Sequence, residues 1–156
     1  MIESNIFKAP PFIVEKISNL YRLLLQEKGE FEQVAGNITD NELRCTILTL
    51  AQKNSQYAAE LSCHMQTTGG METPGGVAAK EYNQKILREA GTGIFPDENG
   101  VLAFCSRNEK KMVTAYREIL KESALYEGLR KMMKYQLNGI LFTFMQLKLL
   151  TSLKNV

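Results

Sequence analysis

Four polar residues interrupt otherwise apolar helical seams in this chain: Glu27, Asn54, Glu109 and Gln136. Each stands where a step of three or four residues calls for a core side chain, as Glu27 does between Leu24 and Phe31. Two carboxylates close together in a low-dielectric interior repel, so one keeps a proton or a cation neutralises the pair. Neighbouring amides can donate hydrogen bonds to them. Two chemistries fit these residue types. One is a buried, hydrogen-bonded polar layer of Glu27, Asn54, Glu109 and Gln136 that sets the register of packed helices. The other is a metal site on Glu27, Glu30 and Glu109, with iron or manganese as the ion. A two-metal site in a helical bundle needs a glutamate from each of two helices and a Glu-x-x-His pair from each of the other two. The single histidine, His64, lies four residues from Glu60 rather than three, so it completes no such pair. The expectation is therefore a polar layer, with no catalytic residue and no cofactor assigned.

Other groupings carry less. Ser62, Cys63 and His64 are consecutive, and consecutive side chains on a helix do not face one another. The paired glycines at 69–70 and 75–76 lack the lysine and the strand-to-helix setting of a phosphate loop. Cys45, Cys63 and Cys105 show no C-x-x-C spacing and read as reduced thiols filling helix faces, which suits a cytoplasmic setting.

The elements that must position the polar residues are helices. After an arm over 1–11, Ile13, Ile17, Leu20, Leu24, Phe31 and Val34 mark a first helix over 12–36. A tight turn at Gly36-Asn37 leads to a second over 40–68, with Leu43, Ile47, Leu50, Tyr57, Leu61 and His64 on one seam. Residues 69–96 are rich in glycine and proline and form a long connection with one short helix near 77–90. A third helix over 97–121, N-capped by Asp97, carries Leu102, Cys105, Glu109, Met112, Tyr116 and Ile119. A fourth over 124–153 carries Leu129, Met133, Gln136, Ile140, Thr143, Leu147 and Leu150. The fold class is all-α, one domain over 1–156: a four-helix bundle of two helical hairpins, with a crossover long enough to make the second and third helices parallel. Residue counts then put the four polar residues within about one helical turn of a common level.

Charge adds little. The formal net charge is +2 and the charges are scattered, so no basic stripe points to nucleic acid. The uncharged run Tyr135 to Leu147 is too short to span a bilayer, and residues 1–12 show no export signal.

The stretch from Asn19 through Gly69-Gly70, with Phe31, Ala35, Glu42-Leu43, Ala51-Gln52 and Tyr57-Ala58-Ala59-Glu60-Leu61, resembles an uncharacterised ferritin-like bundle family distantly related to rubrerythrins and bacterioferritins. Glu109, Tyr116 and Gln136 extend the likeness downstream. The resemblance implies a ferritin-like fold and no established activity. Two functional expectations follow: a non-catalytic, self-associating or partner-binding bundle, and, as its competitor, a metal-dependent oxidase or peroxidase using Glu27, Glu30 and Glu109. The fourth helix is apolar over more than the stripe a bundle core needs, which predicts a homodimer through its C-terminal half.

Overall fold

The structure, a computed structural model, describes residues 10–67 and 95–154. Four helices hold almost all of them: α1 (Pro11–Gly36), α2 (Asn41–Thr67), α3 (Val101–Leu120) and α4 (Glu127–Lys154), and no strand occurs among the described residues. The short helix expected near 77–90 lies outside them.

Local chemistry sets the helix ends. Pro11 opens α1 at a position where its missing N–H is not needed. Asp40 caps α2, its carboxylate accepting the Leu43 N–H at 2.9 Å. Asp97 does not cap α3 as the sequence suggested. Its side chain takes the Asn99 N–H, its carbonyl takes the Gly100 N–H, and α3 starts four residues later, at Val101. Local Asx hydrogen bonding thus competes with helix initiation and delays it. At the other end of α3, the Arg130 guanidinium donates to the carbonyls of Leu120 and Glu122, satisfying orphan acceptors there.

Contacts between elements fix their directions. At one end, the upper end below, the α1–α2 turn meets the lead-in to α3: Asn37 donates to the Phe95 carbonyl at 3.0 Å, and Glu98 accepts the Thr39 hydroxyl at 2.8 Å. Lys154, in the last turn of α4, pairs with Asp40 at 2.9 Å at that same end. At the lower end Lys16 of α1 pairs with Glu122, just past α3, at 2.9 Å. Consequently α2 and α3 start at the upper end and run parallel, while α1 and α4 run the opposite way. Backbone neighbours are α1 with α2 and α3, and α4 with α2 and α3.

Most of the sequence seams form the core, but on α3 Leu102 is exposed and Val101 and Phe104 take the inward positions at that end. Ile13, Ile17, Leu20, Leu24, Phe31 and Val34 of α1 are buried, as are Leu43, Ile47, Leu50, Tyr57 and Leu61 of α2. Phe31 stands edge-on to Phe104 at 6.2 Å and to Phe144 at 6.1 Å, tying α1 to α3 and to the diagonally opposite α4. Gly139 of α4 abuts the Tyr57 hydroxyl so closely that a Cβ there would collide with it. Among the described residues, no helix is long and apolar enough to cross a membrane.

Candidate functional site

Glu27 is 1 % exposed, and neither of its carboxylate oxygens has a hydrogen-bond partner. Burial is the main cause of a pKa raised to about 9, with Glu30 adding to the rise and Lys111 opposing it. The carboxyl is therefore protonated at neutral pH. Burial likewise raises Glu30, again against Lys111. Beside them the Cys105 thiol is pushed up to about 12 by burial, then by Glu27 and Glu109, and is an unreactive filler. Cys45 and Cys63 differ from the sequence expectation, since both are exposed rather than packed.

The single polar level inferred from residue counts is not what the helices build. Gln136 belongs to a second, lower group: it accepts from the Tyr116 hydroxyl at 2.8 Å and donates to Glu60 at 2.9 Å and to the Tyr57 carbonyl at 3.4 Å. Glu27 lies ~14 Å below the top of α1, whereas Gln136 stands only ~14 Å above the start of α4, a helix of similar length running the same way, which separates them by about two turns. The later start of α4, at Glu127 instead of 124, removes ~5 Å of the height assigned to Gln136. Asn54 is fully buried and donates to the Leu24 carbonyl at 3.3 Å, so it serves α1–α2 packing and not the carboxylates.

Glu109 is also displaced from the expected layer. It stays at the bundle margin, 17 % exposed and paired with Lys148 at 2.6 Å. Its neighbour Asn108 takes the interior position instead, between Cys105 and Met112. Steps of 105, 108, 112 and 105, 109, 112 both suit a helix, and burying a neutral amide costs far less than burying a carboxylate. A sequence signal was present, because Asn108 continues the line of Phe104 by four residues.

The candidate metal set of Glu27, Glu30 and Glu109 is not brought together as a donor cluster. Among the described residues no group of three or more His, Cys, Asp or Glu is placed to hold an ion. Glu109 is held by Lys148, Glu60 serves Gln136 in the lower group while taking Gln56 at 3.2 Å, and His64 contacts Tyr126 toward the lower end. Among the described residues, then, iron or manganese has no fitting donor set.

The lower group is a satisfied network instead. Burial raises the Tyr116 hydroxyl well above its ordinary value, so it stays protonated and donates to Gln136. Such a chain links α2, α3 and α4 by directional bonds that a shifted register would break. No protein-family model, curated protein or solved structure matches this chain.

Proposed function

We propose that this protein is a ferritin-like bundle that acts by association and not by catalysis, forming a homodimer through the outward face of α4. One observation carries the reading. Tyr135, Phe142, Met145, Leu149 and Leu153 are each 50–72 % exposed. At 100° per residue they fall within a stripe of about 80° on the side of α4 away from its core-facing residues. Apart from Asn138, exposed within the same stripe, the helix is thus apolar on two opposite faces, and only one of them packs against the other described helices.

A second copy of this chain suits that face on two grounds. The five side chains present roughly 500–600 Å² per copy, so a twofold pairing approaches the lower limit for specific interfaces. Charge does not oppose it. Lys148 is the sole charged residue between Tyr135 and Leu153, and Glu109 already neutralises it. Within each subunit the lower network of Gln136, Tyr116 and Glu60 holds α4 in register and so fixes which side chains face outward.

The test is light scattering over a concentration series on the full chain and on a Phe142→Glu plus Leu149→Glu variant, which places like charges against each other in either a parallel or an antiparallel pairing. A native dimer and a folded, monomeric variant are expected. A native chain that is monomeric throughout, or a variant that remains dimeric, refutes association through α4.

A further inference from the structure

Among the described residues, four buried polar side-chain atoms have no hydrogen-bond partner: both oxygens of Glu27, Oε2 of Glu30 and Nδ2 of Asn108. Each such group left unpaired costs about 1–3 kcal/mol, and the three side chains together would take much of the ~5–15 kcal/mol by which a domain is stable. They belong to one place. Glu27 precedes Phe31 by four residues on α1, and Asn108 follows Phe104 by four on the antiparallel α3, so both lie one turn below the Phe31–Phe104 ring contact and on the same faces. One turn further down, buried Leu24 and Met112 close the box. The Asn54–Leu24 hydrogen bond sets the register of α2 against α1 and puts Ala51, buried and small, at the level of Glu27. Glu30, three residues on, shares the Glu27 side of α1.

The groups do not satisfy one another, yet their needs match one small molecule. Asn108 Nδ2 lacks an acceptor, the protonated Glu27 carboxyl brings an unpaired carbonyl oxygen and an unpaired O–H, and Glu30 Oε2 lacks a donor. A water molecule offers both in tetrahedral directions, and α2 presents only the small side chain of Ala51 at this level. We propose that the layer between α1 and α3 is an internal hydration site, in which about one or two water molecules accept from Asn108 Nδ2 and donate to Glu27 and Glu30. The polar groups at this level are then satisfied by solvent enclosed beneath the Phe31–Phe104 contact.

The experiment is water-to-protein cross-relaxation by NMR on the ¹⁵N-labelled full chain, read at the Asn108 side-chain amide, which is assigned by its loss in Asn108→Leu. A cross-peak with the sign of a long-lived contact is expected in the native chain. It should persist in Glu27→Gln, which removes the exchangeable carboxyl proton that could relay magnetisation, and vanish in Glu27→Met. Should Glu27→Met fail to fold, the native chain and Glu27→Gln decide by themselves. No water contact at Asn108, as in a dry acid–amide pair with Glu27, overturns the proposal. So does a stoichiometric divalent ion in protein purified without chelators, or a cross-peak that disappears in Glu27→Gln.

Discussion

Replacing Glu27 by Gln should make the protein more stable, by an amount that grows with pH. In the folded chain the carboxyl titrates at about 9, against an ordinary value of 4.5. Below pH 4.5 it is protonated in both states and costs nothing. Between 4.5 and 9 the unfolded chain releases a proton that the folded chain retains, so stability falls by about 1.4 kcal/mol per pH unit until the folded group also ionises. At pH 7 the accumulated loss is about 3 kcal/mol, a large share of what a domain of this size has. Gln keeps the shape and cannot ionise, so the slope disappears. The assay is urea unfolding of native and Glu27→Gln protein from pH 5.5 to 8, with the difference taken at each pH so that titrations common to both cancel. That difference should move by about 3 kcal/mol over the range in favour of the variant, or ~6–12 °C in midpoint temperature. Hydration of the layer reduces the size of this change and leaves its sign. A difference independent of pH, or one that favours the native chain as pH rises, would show that Glu27 is ionised beside a cationic partner and would refute the argument.

Gly139→Ala should destabilise the bundle by about 1–2 kcal/mol in thermal unfolding, because the collision with the buried Tyr57 hydroxyl exceeds the ~1 kcal/mol that alanine gains over glycine in a helix. Glu98, whose pKa is lowered to about 2 by the Thr39 N–H and hydroxyl, stabilises the contact between the α1–α2 turn and the α3 lead-in. The native chain should therefore be more stable than Glu98→Gln at neutral pH, the advantage fading as pH falls from the ordinary carboxylate range through about 2, as acid titration of both proteins would show. A thiol reagent at pH 8 should modify Cys45 promptly and Cys105 only on unfolding, since Cys105 is buried with its thiol at about 12, and mass spectrometry of the native chain against denaturant reads the difference.

What the sequence by itself determined is the set of helices and most of their inward faces. Periodicities of three and four are local, and each helix reports its own seam through the side chains it cannot leave in water, so Ile13 to Val34 and Leu43 to Leu61 could be read off directly. The gap at Glu27 was equally legible, as one polar residue in a run whose neighbours are all core. Local reading failed where two steps suit a helix equally well. Between Asn108 and Glu109 only packing against α1 decides, and it admits the neutral amide while leaving the carboxylate at the margin beside Lys148. Heights failed for a related reason. Asp97 makes a turn of its own and the Leu125 N–H closes another on the Glu122 carbonyl, so the last two helices start later than their composition suggests, and each displaced residue moves a side chain by ~1.5 Å. Tertiary structure alone decided that Gln136 joins Tyr116 and Glu60 and that Glu109 stays at the margin beside Lys148. Those outcomes depend on which helices become neighbours, which no single helix encodes.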